Sequence, residues 1–543
     1  MRLVPASVAA AFEESAAHWA DLPFLEVLPE TAAAYGVAAG ALTYEAARQR
    51  IVALREAYAS AGYGAGHRVG LLLDNRPAFF LHWFALNGLG VSVVPISADL
   101  RSAELQYLVG HSEIVLAVAV PQRHDDLRAA AAAAGRRLVV MADRDTPPGA
   151  LSAPPLLRAA AGDLGECALL YTSGTTGRPK GCILPNRYFL HAGHWYLGVG
   201  GLCVLRPGQE RMLTPLPVTH MNAMAFSTLA CVLSGGCLMV LDRFHPATWW
   251  NSVRESRATV VHYLGVMPSM LMKAAPSADD TRHAVRFGFG AGVDKALHAP
   301  FEARFGFPLL EGWAMTETGA GGVIMANAEP RRVGTSCFGR ESNDVLVRVV
   351  ADEGSEAAAG EPGELQVRRA GADPRDGFFA GYLKDALATD EAWQGGWFHT
   401  GDIVSRDGEG LLHFIDRRKN VIRRSGENIS AVEVESVLSQ VSEVKACAVA
   451  ATPDEVRGDE VLACIVTHEP VPDSEREAFA RRIVTHALQQ LAYYKAPGHV
   501  AFVDALPLTP SQKIQRGELK ALAVSLPGQA HCIDTRAMKK RQV

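Results

Sequence analysis

The 543-residue chain has no CxxC pair among its nine cysteines, no surplus of either charge and no long uncharged apolar run. Each absence removes a class. The cysteines stand singly, are odd in number and have mostly apolar neighbours. They read as reduced, buried thiols of a cytoplasmic protein rather than as a disulfide framework. A formal net charge of −5, with 53 Lys and Arg interspersed among 58 Asp and Glu, leaves no basic surface for wrapping a nucleic acid. No window of about 18 uncharged apolar residues is present, so no membrane-spanning helix is expected. The opening "MRLVPASVAAAFEESAAHWADLPF" puts two glutamates where a signal peptide needs an apolar run, and no export signal is expected either. The basic end "MKKRQV" reads as a solvated terminus. Internal repeats and low-complexity linkers are lacking.

What is there describes a folded, soluble chain: 48% apolar and 20% charged residues, in a length too great for one core. The first third alternates helical and strand patterns. "LTYEAARQRIVALREAYASAGY" repeats apolar residues at helical spacing, with Gly62 as a stop, and "PAFFLHWFALNGLG" lies between the short apolar runs "RVGLLLD" and "GVSVVPIS". Such alternation implies an α/β fold of mostly parallel sheets covered by helices. The pattern recurs from about residue 165 to 340, which predicts a second sheet of the same class. After residue 340 the texture changes to short alternating strands such as "DVLVRVV", "GELQVRR" and "GLLHFIDRR". The helices "SAVEVESVLSQVS" and "SEREAFARRIVTHALQQL" and the strands "KACAVAAT" and "EVLACIVTH" then predict a small α+β domain. The expected division is 1–417 and 418–543.

One stretch is rich in hydroxyls and glycines at once: "YTSGTTGRPKG", Tyr171 to Gly181, following the probable strand "CALLY". Glycines let backbone N–H groups face a ligand closely, Ser and Thr add donors, and Lys180 adds positive charge. Such a cradle suits a phosphate chain. The Walker pattern is absent, because Lys180 follows Pro179 and precedes a glycine. A plain Ser/Gly turn between strands is the competing reading.

This loop resembles the phosphate loop of the adenylate-forming superfamily, which includes acyl- and aryl-CoA synthetases. Four further segments resemble that family in its order: "WAMTETG" (Trp313 to Gly319), "HTGD" (His399 to Asp402), "IDRRKNVIRRSGENIS" and "TPSQKIQR" (Thr509 to Arg516). The resemblance runs from residue 171 to 516, with "LTYEAARQRI" extending it towards residue 42. It implies a large N-terminal α/β domain and a C-terminal lid that rotates between two half-reactions, with ATP, Mg²⁺ and CoA as reactants and cofactors.

By that resemblance Thr172, Ser173, Gly174, Thr175, Thr176, Gly177 and Lys180 hold the β- and γ-phosphates. Thr316 donates to the α-phosphate, and Glu317 holds Mg²⁺. Asp402 accepts from both ribose hydroxyls, which a carboxylate can do bidentately, and Arg417 is a second ribose and phosphate contact. Trp313 stands where the family has a Tyr stacked on adenine, and Ala314 replaces the usual glycine. Gly290, Ala291 and Gly292 resemble the small-residue segment beside adenine and the acyl carbonyl. Glu311, Gly312, Met315 and Phe414 fill out the adenosine site. Lys513 bridges the α-phosphate and the attacking carboxylate; Gln512 beside it departs from the family's glycine. Lys419 falls at the hinge, Gly426 on the thiol's path, and Arg423 and Arg424 near CoA phosphates.

The acid is less legible. His220 in "PVTHMNAM" matches a family His that gates the acyl pocket, which Tyr263, Gly265 and Val266 would line. The spacing around "FHPATWWNSVRESRATVVHYLGVMPSMLM" looks closest to the crotonobetaine/carnitine–CoA ligase branch. A trimethylammonium group would want an aromatic cage, for which Trp195, Trp249, Trp250 and Tyr263 are available. "ATWWNSV" reads more simply as a helix packing its tryptophans into the core. His191 and His194 in "HAGHW" have metal-pair spacing without an evident third ligand. The expected function is an ATP-dependent acyl-CoA ligase acting on a small-molecule carboxylic acid. A stand-alone enzyme loading a carrier protein and a silent nucleotide binder stay open, as does the oligomeric state, a homodimer included.

Overall fold

Strand–helix alternation in the first 340 residues is realised as two parallel-rich sheets. The computed structural model describes residues 5–155, 162–172, 179–351, 353–417, 421–425, 427–507, 514 and 516–540. They divide into two units: one holds Met1–Ala98, Gly110–Leu170 and Gly181–Asp416, the other Asp99–Val109, Tyr171–Lys180 and Arg417–Val543.

The first sheet has seven strands, in the order Gly381–Tyr382, Lys180–Pro185, Glu166–Thr172, Ser92–Pro95, Arg68–Leu72, Leu116–Ala119 and Val139–Met141. The last five are joined in parallel. Ser92–Pro95 and Leu116–Ala119 are buried along their whole length, as strands covered on both faces must be. Helix Tyr44–Ser60 starts where Thr43 Oγ1 accepts the Ala46 N–H at 3.1 Å, a cap worth roughly 1 kcal/mol. Helix Pro77–Asn87 opens on proline, whose missing N–H costs nothing at that position. Every residue from Phe79 to Asn87 is buried, so this helix runs through the core rather than over it.

The second sheet has eight strands, in the order Ile324–Met325, Leu309–Trp313, Phe287–Ala291, Val260–Leu264, Arg211–Thr214, Cys237–Val240, Pro23–Val27 and Gly40–Thr43. Its inner pairings are parallel and its two outermost are antiparallel. Membership differs from the expected block of residues 165–340. Glu166–Thr172 and Lys180–Pro185 join the first sheet, while Pro23–Val27 and Gly40–Thr43 join the second. Parallel neighbours are linked by crossovers, so chain order does not dictate which sheet a strand enters.

The change of texture at residue 340 marks a third sheet, this one antiparallel: Cys337–Gly339, Leu412–Arg417, Phe398–Arg406, Pro362–Arg369 and Val345–Val350. The second unit has its own six-stranded sheet, centred on Gly458–Thr467, and its own core around Ile422, Val449, Ile465, Phe479, Ile483 and Val500. Strand alternation corrects one expectation there. In Val421–Arg424, Ile422 and Arg424 point inward and Arg423 outward. Arg424 is buried on Glu460, with Nε 2.8 Å from Oε2, and is therefore spent inside the unit rather than offered to CoA.

All nine cysteines are free; eight are buried and Cys447 is half-buried. Burial pushes the thiols of Cys203, Cys237, Cys447 and Cys464 up to about 12. Among the described residues no helix is long and apolar enough to cross a membrane.

Candidate active site

Strand Leu309–Trp313 lies between Phe287–Ala291 and Ile324–Met325. Its C-terminal end carries Glu311, Gly312 and Trp313 to the edge where open parallel sheets place their ligands. There Glu311 is buried, and its carboxylate is fully engaged by neighbours. Oε1 accepts the Val293 N–H at 3.0 Å and the Tyr263 hydroxyl at 3.2 Å, and Oε2 accepts the Gly292 N–H at 3.1 Å. Burial pushes its pKa up, and the backbone donors partly offset this.

Glu311 thereby shapes the turn after Phe287–Ala291. Gly292 has φ +80°, the left-handed region that favours glycine. A Cβ on Gly290 would lie 2.2 Å from the Tyr263 carbonyl oxygen. The glycines Gly290 and Gly292 are thus demanded by a close approach of two strands and a tight turn.

Beyond Trp313 the chain turns sharply. Thr318 Oγ1 accepts the Met315 N–H at 2.9 Å, and the Gly319 N–H donates to the Met315 carbonyl at 2.9 Å. Ala314 and Met315 pack partly buried against the core. Thr316 is half-buried, and its hydroxyl has no protein partner among the described residues. Glu317 is buried, with Oε1 accepting the Tyr382 hydroxyl at 3.0 Å and its carbonyl accepting the Phe379 N–H at 2.9 Å. Burial, helped by the Glu317 charge, pushes the Tyr382 phenol far up, so it remains a donor.

The "HTGD" segment belongs to strand Phe398–Arg406 of the antiparallel sheet. Thr400 Oγ1 donates to the Leu365 carbonyl at 2.6 Å and accepts the Asp402 N–H at 3.0 Å. Gly401, at φ +67°, gives its N–H to Glu364 Oε1 at 3.1 Å. His399 Nδ1 lies 3.2 Å from Glu364 Oε2. With the backbone so held, Asp402 is 1% exposed, and its Oδ2 accepts the indole Nε1–H of Trp313 at 2.9 Å, across 89 residues of sequence. The Trp313 ring is 7% exposed and lies 6.3 Å from Phe338. Phe414 is partly buried against the same core, its N–H donating to the Ser336 carbonyl at 3.0 Å.

His220 is exposed in the turn that leads into a π-helical segment, Asn222–Ser227. Such segments are rare and cluster at functional sites. Two buried side chains hold this turn, and sequence reasoning missed both. Asn75 donates from Nδ2 to the carbonyls of Leu216 (3.0 Å) and Leu241 (2.7 Å) and accepts the Val218 N–H (2.9 Å). His262 Nδ1 lies 2.7 Å from Asn222 Oδ1 and 2.9 Å from Ser227 Oγ, while Nε2 lies 3.1 Å from the Tyr196 hydroxyl. The amide oxygen of Asn222 can only accept, so Nδ1 carries the proton and Nε2 accepts from Tyr196. Burial alone holds the His262 pKa down to about 3. The sequence signal was a single polar residue inside the apolar strand "VVHYL".

Tyr263 is buried, as is Trp249; Trp250 is stacked on Phe305 at 4.4 Å and on His283 at 5.6 Å. Trp195 packs on Phe226 and Phe289. His191 Nε2 lies 3.6 Å from Asp376, and no group of three or more His, Cys, Asp or Glu side chains forms a metal cluster among the described residues. Thr172 ends strand Glu166–Thr172 and Lys180 opens strand Lys180–Pro185. Ser173, Gly174, Thr175, Thr176, Gly177, Lys419, Gly426 and Lys513 lie outside the described residues, as do the side chains of Arg417 and Val266.

Residues 12–383 match the family model described as AMP-binding enzyme, and residues 433–513 match that of the AMP-binding enzyme C-terminal domain. A crotonobetaine/carnitine–CoA ligase of Escherichia coli O157:H7 is 30% identical over 484 residues, covering 84% of this chain and 89% of the relative. Among solved structures, a malonyl-CoA ligase with methylmalonyl-CoA and AMP bound is 25% identical at a TM-score of 0.71, covering 90% of this chain and 97% of that one. An o-succinylbenzoate CoA synthetase from Bacillus subtilis shares the fold at 21% identity and a TM-score of 0.79, covering 95% and 98%.

Proposed function

The chain belongs to the AMP-binding enzymes, close to the crotonobetaine/carnitine–CoA ligases, and on that premise we propose that it is an ATP-dependent acyl-CoA ligase working in two steps. A carboxylate oxygen attacks the α-phosphorus of ATP and pyrophosphate leaves, giving an acyl-adenylate. The sulfur of CoA then attacks the acyl carbonyl, its proton is lost, and AMP leaves with the acyl–oxygen bond broken. The observation that carries the reading is the Trp313–Asp402 contact. It brings together, across 89 residues, the segment that the resemblance assigns to adenine and the one it assigns to ribose, which supports reading them as parts of one nucleotide site.

Both reactants of the first step are anions, so the site must neutralise charge and align attack. Thr316 has a hydroxyl to give to the α-phosphate. Lys513, carried over from the family motif, supplies a cation between phosphate and carboxylate. Glu317 fits Mg²⁺: it is a single hard oxygen donor fixed by Tyr382. Few protein ligands suit an ion that keeps waters and takes substrate phosphates. When bound, Mg²⁺ would offset phosphate charge. Glu311 holds the turn at Gly292 and Val293 that follows the small-residue segment.

We read the acid as small or medium and aliphatic. Trp249 is buried and Trp250 is stacked on Phe305 and His283, which supports the core reading over a cage for trimethylammonium. The test is AMP release from ATP and Mg²⁺ across a panel of carboxylic acids, with and without CoA, with products identified by mass. Release that needs both acid and CoA, with the matching thioester, supports the ligase. Release without thioester, or none across a panel that includes carnitine-like acids, refutes it in favour of a carrier-protein acceptor or a silent binder.

A further inference from the structure

We propose that the helix Ser102–Ser112 couples triphosphate binding to the C-terminal part of the chain, with Tyr107 positioning the phosphate loop and Glu104 holding Lys495. The inference rests on the nucleotide site proposed above and adds a helix that lies outside all five motif segments.

The residues concerned belong to one unit, built from Asp99–Val109, Tyr171–Lys180 and Arg417–Val543. Strands Glu166–Thr172 and Lys180–Pro185 enter and leave the loop rich in hydroxyls and glycines. Tyr107 meets both shoulders of that loop. Its hydroxyl donates to the Pro179 carbonyl at 2.9 Å, and its ring stands edge-on to Tyr171 with the centroids 6.4 Å apart. Fixing the two ends of a loop reduces the conformations open to the chain between them. A single side chain that ties both ends therefore acts on where the loop's donors can be presented.

Glu104 stands three residues before Tyr107, so both lie on one face of the helix. Its Oε2 accepts the Arg101 N–H at 3.0 Å, as the carboxylate of a capping box does, and so fixes the helix start. Its Oε1 accepts from Lys495 Nζ at 2.7 Å. The same ammonium donates to Glu433 Oε1 at 2.9 Å, on helix Ala431–Leu438. None of the three side chains is more than 9% exposed. Burial disfavours the charge on Lys495, but Glu104 and Glu433 outweigh it and push its pKa up. Removing one partner of such a group leaves a desolvated charge uncompensated, so the contact is kept whole or lost. Within one turn, then, the helix carries the shoulders of the phosphate loop on Tyr107 and the Lys495 cation on Glu104. A shift of the helix moves both, and linkage makes the effect mutual.

The test is isothermal titration of the full-length chain with AMP and with α,β-methylene-ATP, a triphosphate analogue that does not react. Tyr107→Phe keeps the ring against Tyr171 and removes only the hydroxyl. It should weaken the triphosphate by about threefold to tenfold, the worth of one neutral hydrogen bond, and AMP, which lacks the β- and γ-phosphates, by less than about twofold. Equal weakening of both nucleotides would mean general packing and overturns the proposal. Lys495→Met should weaken the triphosphate by about fivefold, the lower range of coupling between sites. The double variant should fall well short of the product of the two single losses, because a helix already released gives Tyr107 less to hold. A full product means that Lys495 acts by another route, and it overturns the proposal. If Lys495→Met fails to fold, Glu104→Gln takes its place in the cycle, since it drops the charge yet still accepts the Arg101 N–H. Amide hydrogen exchange reads the reverse direction. The analogue should slow exchange of helix Ala431–Leu438 by about fivefold in the wild type and leave it unchanged in Tyr107→Phe. No slowing in the wild type, or equal slowing in both, overturns the proposal. A wild type that binds neither nucleotide fails the proposed function itself, a distinct result.

Discussion

His262 is fully buried, and its pKa is held down to about 3, against 6.5 for an ordinary imidazole. Between those values the unfolded chain binds a proton that the folded chain refuses. Stability from this group is therefore complete above pH 6.5 and lost as the pH falls towards 3. Each pH unit in that window is worth about 1.4 kcal/mol, so moving from pH 7 to pH 5 should cost about 2 kcal/mol, and the full window about 4 to 5 kcal/mol. The assay is urea unfolding at pH 7 and pH 5, followed by tryptophan fluorescence, on wild type and His262→Gln. Glutamine is neutral at both pH values and offers a donor and an acceptor to Asn222 and Tyr196. It should start less stable at pH 7 through imperfect fit, yet lose about 2 kcal/mol less than wild type on acidification. Parallel losses in the two proteins would refute the reasoning, because they would mean that His262 takes up its proton while folded.

Gly290→Ala would drive a methyl to 2.2 Å from the Tyr263 carbonyl oxygen. Parting the two strands should cost about 1 to 3 kcal/mol, read in the same unfolding assay, and should weaken nucleotide binding by displacing the turn that Glu311 holds. Asn75→Ala strands two carbonyls and one N–H in a buried place; at about 1 kcal/mol or more for each unmet group, a loss near 3 kcal/mol is expected, with a raised KM for the carboxylic acid. Lys513→Ala should abolish acid-dependent pyrophosphate exchange yet leave thioester formation from preformed acyl-adenylate largely intact. Equal loss of both halves in a folded protein would remove Lys513 from its assigned role.

The family was legible because its motifs are short, ordered and chemically constrained. Trp313, Glu317 and Asp402 could be named one by one, and the family matches bear out the resemblance. Helices such as Tyr44–Ser60 were legible because capping and apolar spacing are local properties. Sheet membership was not, since nothing near Glu166–Thr172 or Pro23–Val27 records which distant strand it will meet. The same limit hid Asn75 and His262. Asn75 stands between Asp74 and Arg76 and His262 alone in an apolar strand, and the groups that give each its meaning lie 35 to 166 residues away. The bond between Trp313 and Asp402 was hidden differently. Both residues were named, but for separate contacts with a ligand, and no pattern in either segment announces that they touch each other.

The nine free thiols are distributed as if to survey the molecule. Cys167 and Cys182 lie on the seven-stranded sheet, Cys203 ends the short turn Gly201–Cys203, Cys237 is on the eight-stranded sheet with Cys231 on the helix before it, Cys337 is on the antiparallel sheet, and Cys447, Cys464 and Cys532 are on the sheet of the second unit. Buried or, for Cys447, half-buried, and in most cases with a raised pKa, they are poor nucleophiles while their surroundings stay closed. An alkylating reagent then works as a clock rather than a label. The rate at which each cysteine is captured reports how often its own strand or helix opens, and peptide mass mapping can time these openings across every sheet of the unmodified natural sequence, with Cys447 expected to react first.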